Sequence, residues 1–162
     1  MKILVVYYSR TGHTQKVATA LAARLGAEIV RIEPEGRVNL AFGVLEALMS
    51  FTAGIRACRT DLADIDVLVV ATPVWANKVP PYVNMYLSLV TGIEQKPYYV
   101  IVERGTPGSD KPADVVRKQL DKKGMHHASS MVTLEEEVDK GMVEDKIQRF
   151  AEIISKNQGR VP

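Results

Sequence analysis

The run Ile3-Leu4-Val5-Val6-Tyr7-Tyr8 opens the chain with six consecutive apolar or aromatic residues and no polar alternation. A strand that is apolar on both faces has to be covered on both faces, which is the situation of a parallel strand sandwiched between helices. Immediately afterwards the period changes. Val17, Leu21 and Leu25 fall four apart with Ala18 and Ala22 beside them, and Gly26 stands where such a helix stops.

The same switch recurs along the chain. Glu28 to Ile32 reads as a second strand, Ile65 to Ala71 as a third, Tyr98 to Val102 as a fourth and Ser130 to Leu134 as a fifth. Between them, Pro80-Pro81 open a helix to about Leu89, since proline is tolerated in a first helical turn. A further helix from about Lys111 to Lys123 turns Ala113, Val116 and Leu120 inward. The last helix, Val143 to Ile154, places Val143, Ile147, Phe150, Ala151 and Ile154 on one face. Strands alternating with helices imply right-handed crossovers and a three-layer α/β fold around a five-stranded parallel sheet.

At 162 residues, 46% of them hydrophobic and 25% charged, the chain is expected to form a single domain, 1–162. One stretch exceeds what a crossover needs, an extra apolar helical segment at about 36–60. Leu40, Val44, Leu48, Phe51 and Ile55 would share one helical face, and Phe42, Leu45 and Met49 another. It reads either as the fold's ordinary second helix or as a helix whose outer side, over 40–57, packs on a second copy of the chain or overhangs a ligand.

With 21 basic and 19 acidic residues the net charge is +2, which builds no field for gathering nucleic acid. Lys122-Lys123 reads as solvated surface. Cys58 has no disulfide partner, and His13, His126, His127 and Cys58 are too scattered for a zinc site of standard spacing, so no metal is expected. The chain begins a strand almost at once, without a leader pattern, and has no apolar run near the roughly 20 residues a membrane span needs, so it reads as cytoplasmic.

In an open parallel sheet the ligand binds beyond the carboxyl ends of the strands. The loop after the first strand is Ser9-Arg10-Thr11-Gly12-His13-Thr14, leading straight into a helix. Hydroxyls at alternate positions, a glycine that lets the backbone bend and free N–H groups at a helix start suit a phosphate dianion. The alternative is a plain helix cap with a polar turn. The loop after the third strand carries Thr72-Pro73-Val74-Trp75-Ala76, and Trp75 is the only tryptophan in the chain. The loop after the fourth carries Glu103-Arg104-Gly105-Thr106, followed by Pro107-Gly108-Ser109.

The stretch Ile3 to Val17, an apolar strand leading into Ser/Thr-x-Thr-Gly-x-Thr, resembles the amino-terminal signature of flavodoxins, and Thr72-Pro73-Val74-Trp75 resembles the second flavin loop of flavodoxin-like reductases. The resemblance implies the strand order 2-1-3-4-5 and a flavin mononucleotide (FMN) cofactor. Its phosphate would be held by Ser9, Thr11 and Thr14 with the N–H groups of Arg10, Gly12 and His13. Thr72 to Ala76 would line the flavin ring, with Trp75 stacked or edge-packed on it or else capping the core. Glu103 to Thr106 would meet the pyrimidine edge, where a nearby Arg104 would stabilise the negatively charged reduced flavin, unless Glu103 and Arg104 are simply a solvated pair.

Three functions follow: an electron carrier between redox partner proteins, an NAD(P)H-dependent quinone or flavin reductase, or a flavin-free interaction module. Flavodoxin carriers are usually strongly acidic, and this chain is not.

Overall fold

The computed structural model describes residues 1–36, 54–108 and 111–157. Five strands, β1 (Ile3–Tyr7), β2 (Glu28–Arg31), β3 (Val67–Pro73), β4 (Pro97–Arg104) and β5 (His126–Leu134), form one sheet in the order β2-β1-β3-β4-β5. Every pairing is parallel. The helices are α1 (His13–Leu25), α2 (Pro81–Leu89), α3 (Lys111–Asp121), α4 (Glu135–Asp139) and α5 (Glu144–Asn157).

Side chains alternate across a strand, so β1 divides its apolar run between two cores. Leu4, Val6 and Tyr8 join Leu68, Val70, Tyr98 and Val100 beneath α2 and α3, with Val83, Leu87, Val116 and Leu120 packed against them. Ile3, Val5 and Tyr7 join Val69, Tyr99 and Ile101 beneath α1 and α5, facing Val17, Leu21, Ile147, Phe150 and Ile154. The helix faces read from periodicity are therefore the buried ones.

Three boundaries differ from expectation. β3 runs on to Pro73 and β4 to Arg104, so Thr72, Pro73, Glu103 and Arg104 belong to strand ends rather than to loops. β5 begins at His126, four residues early, because it is an edge strand whose first half is exposed and needs no apolar pattern. α4 was not anticipated; its charged run is held by Glu137, which accepts from the Leu134 N–H at 3.0 Å and from Lys146.

The segment 37–53 lies outside the described residues, and with it the helical face expected from Leu40 to Phe51. Ile55, assigned to that face, instead forms an antiparallel bridge with Pro34. No helix among the described residues is long and apolar enough to cross a membrane.

Candidate flavin site

The carboxyl ends of β1, β3 and β4 bring the three expected loops to one edge of the sheet. At the first, Gly12 has φ 98° and ψ −15°, a conformation L side chains rarely adopt, and it caps the start of α1. Its N–H donates to Ser9 Oγ at 3.1 Å, which closes the turn. Among the described residues no acceptor takes the N–H groups of Arg10, Thr11 or His13. These amides sit at the positive end of the α1 dipole and remain available to an anion.

The hydroxyls are placed less uniformly than their spacing suggests. Ser9 is buried and already accepts from Gly12. Thr11 is exposed at the mouth of the turn, its Oγ1 2.9 Å from His13 Nδ1. Thr14 faces inward, fully buried, and donates to Glu103 Oε2 at 3.1 Å. Thr14 therefore serves the Glu103 carboxyl in this structure, whereas Thr11 and the turn amides stand open at the mouth of the turn.

The second loop is a tight hairpin. Trp75 N–H donates to the Lys78 carbonyl at 2.9 Å and Lys78 N–H to the Trp75 carbonyl at 2.8 Å. The two residues between, Ala76 and Asn77, both have positive φ, 47° and 60°. This is the signature of a type I′ turn, where asparagine is at ease and alanine is strained by about 1–2 kcal/mol. Ala76→Gly is expected to stabilise the protein by about 0.5–1 kcal/mol, because relief of that strain exceeds the added glycine entropy. Thermal unfolding should register it as a rise of about 1–4 °C, and a fall would show that the turn is not strained.

Trp75 is half-buried and packs edge-on against two tyrosines. Its ring centroid lies 5.5 Å from that of Tyr8, at 78° between planes, and 6.2 Å from that of Tyr82, at 87°. Arg10 sets its guanidinium carbon 5.7 Å from the indole centroid. The indole thus caps the apolar layer and also borders the turn after β1 through Arg10. Burial among these groups pushes the Tyr8 hydroxyl up to about 12, with Tyr82 adding to the rise and Arg10 and Arg31 opposing it.

The second and third loops close on each other. Pro73 pairs in register with Glu103, and Val74 N–H donates to the Glu103 carbonyl at 2.9 Å. Between them lies a cavity of about 260 Å³ lined by Val74, Ala76, Asn77, Arg104 and Gly105 to Gly108. Val74, Ala76, Arg104, Gly105 and Thr106 were expected at the flavin; Asn77, Pro107 and Gly108 were not singled out. Thr72 is not on this wall, since it is fully buried and donates to the Pro73 carbonyl at 3.0 Å.

Glu103 and Arg104 are not a solvated pair. They are 1% and 6% exposed, and strand alternation sends them to opposite faces of the sheet. Arg104 turns to the cavity; Glu103 turns under α1, where it comes together with His13 and Glu135. Burial pushes the Glu103 carboxyl above the usual range, although the Thr14 hydroxyl pulls it back.

A turn of free amides at a helix start, beside a cavity rimmed by backbone and one arginine, fits a phosphate with a planar head group. The family model of the NADPH-dependent FMN reductases matches residues 1–146. The chain belongs to the NADPH-dependent FMN reductase family. This reductase-family chain has the same fold as a flavoprotein from Lactobacillus acidophilus solved in complex with FMN. That pair shares 18% identity and a TM-score of 0.68, over 86% of this chain and 97% of the other. It is likewise similar in fold to a flavodoxin, WrbA-like protein from Agrobacterium tumefaciens, with 14% identity and a TM-score of 0.67 over 99% of both chains. Comparison with curated proteins finds no match. FMN, expected from the first loop, is the flavin of the family to which the chain belongs.

Proposed function

We propose that this protein is an FMN-dependent oxidoreductase that draws electrons from a reduced nicotinamide, NADPH in the first instance, and passes them to a small acceptor such as a quinone or a free flavin. The family match across residues 1–146 carries this reading. The site supports it. The amides of Arg10, Thr11 and His13, with the hydroxyls of Ser9 and Thr11, hold the phosphate of FMN. Val74 and Ala76 border the ring, Trp75 backs the loop from the apolar layer, and Arg104 with the chain from Gly105 to Gly108 takes the polar edge. Bound FMN supplies the electron chemistry, and the protein's contribution is orientation, charge and access.

The near-neutral surface, +2 overall, also favours a small-molecule donor over docking on a strongly charged redox partner. The test is anaerobic mixing of FMN-loaded protein with NADPH, and separately with NADH, while the visible flavin absorption is followed. Its rapid loss with NADPH is the expected result. A flavin that dithionite reduces but neither nicotinamide does would overturn the reading and restore the carrier between proteins. Protein that takes up no FMN would leave only an interaction module.

A further inference from the structure

The loop assigned to phosphate rests on a second group of side chains that the flavin reading does not use. His13, Glu103 and Glu135 each place a potential ligand atom within 4.8 Å of the other two. They come from three elements: the first turn of α1, the end of β4 and the first residue of α4. Two buried oxygens here have no partner among the described residues. One is Oε1 of Glu103, a residue 99% buried, and the other is Oγ1 of Thr133, which is 0% exposed. Glu103 and Thr133 are register partners on adjacent strands, so these two oxygens belong to the same sheet face.

We infer that His13, Glu103 and Glu135 form a binding site for one divalent transition-metal ion, of the Mn²⁺ to Zn²⁺ kind, on the α1 side of the sheet. An internal water could satisfy Glu103 Oε1 and Thr133 Oγ1, but it would leave two carboxylates, the Glu103 one buried, facing each other at close range. A dication neutralises both. One imidazole nitrogen with two carboxylate oxygens is a borderline set that suits such ions better than soft Cu(I) or all-oxygen Ca²⁺.

The hydrogen bonds prepare the histidine for this role. His13 Nε2 lies 3.0 Å from Asp139 Oδ1, and a carboxylate only accepts, so Nε2 carries the proton and Nδ1 keeps its lone pair, which accepts from the Thr11 hydroxyl at 2.9 Å and turns to the ion once that hydroxyl rotates away. A carboxylate behind the imidazole is the outer arrangement that orients metal-bound histidines. The α1 dipole opposes a cation with about half a charge at its end. Three carboxylates, Glu103, Glu135 and Asp139, outweigh it, and Lys16 reaches only Asp139, at 3.9 Å.

The experiment is calorimetric titration of the purified protein with Zn²⁺ and, in parallel, Mn²⁺. Wild-type protein should take up one ion per chain. Glu135→Gln and Glu103→Gln should each weaken the binding by at least the 10–100-fold that outer-shell changes alone produce. The double change His126→Ala/His127→Ala, which removes the other two histidines, should not. Thermal unfolding in a chelator checks that the variants are folded, and Glu135→Gln, at the less buried carboxylate, carries the test should Glu103→Gln not fold. No uptake by the wild type, or uptake unaffected by Glu135→Gln, overturns the site, whatever the flavin titration shows.

Discussion

Gly12→Ala is expected to weaken FMN binding by about 10²–10⁴-fold while leaving the protein folded. The added methyl meets nothing within 4 Å, so crowding is not the cause. The cause is φ, which at 98° lies where an L residue is strained by about 1–3 kcal/mol. The chain relieves that strain by rotating the peptides on either side, which moves the Gly12 N–H off Ser9 Oγ and turns the His13 N–H away from the mouth. The phosphate contacts of the Ser9 hydroxyl, no longer held by the Gly12 N–H, and of the His13 N–H, at roughly 1.5–3 kcal/mol each, account for the loss.

Titration of flavin-free protein with FMN, followed by flavin fluorescence, measures the affinity, and thermal unfolding measures the strain separately. Thr11→Ala should weaken binding more than Thr14→Ala, because the Thr14 hydroxyl is engaged by Glu103 and Thr11 stands at the mouth. Unchanged affinity in Gly12→Ala would remove the phosphate assignment.

How much of this was legible in the sequence follows from what each residue has to satisfy. The unbroken run Ile3 to Tyr8 and the four-residue spacing in α1 require burial on both sides of the sheet, so the layers and helix faces could be read directly, while the strand order came with the resemblance to flavodoxins. The strand ends could not. Glu103 and Arg104 are charged, and charge in sequence reads as solvent, but at the carboxyl edge of a parallel sheet a charged residue can be fully enclosed by the neighbouring strands and helices. The type I′ hairpin at Ala76-Asn77 was hidden because alanine disguises a position of positive φ.

The meeting of His13 with Glu103 and Glu135 was hidden for a different reason. Metal spacing rules look for histidine and cysteine close together in sequence, whereas these three residues converge from separate elements, and α4, which supplies Glu135, had no apolar period to announce it.

Arg104→Gln is expected to lower the reduction potential of the bound flavin by several tens of millivolts. Arg104 ends β4 at 6% exposure and lines the cavity between the second and third loops, with its guanidinium Nη1 3.4 Å from where a Cβ on Gly108 would stand. A flavin ring seated there gains negative charge on reduction. A full positive charge about 5 Å away, at an effective dielectric constant near 20, favours the reduced form by about 3 kcal/mol. For a two-electron couple that is about 70 mV.

Neutral glutamine keeps hydrogen-bonding capacity but not the charge, so the shift reports electrostatics rather than lost contact. Arg104→Lys should recover most of it while perturbing the planar fork. Both potentials are measured by equilibration against reference dyes, with thermal unfolding confirming that loss of a buried guanidinium has not loosened β4. If glutamine and lysine shift the potential equally, the effect comes from disturbed packing, and Arg104 does not act on the flavin through its charge. If neither shifts it, the ring does not occupy the cavity beneath Gly108, and Arg104 holds the loop for structural reasons alone.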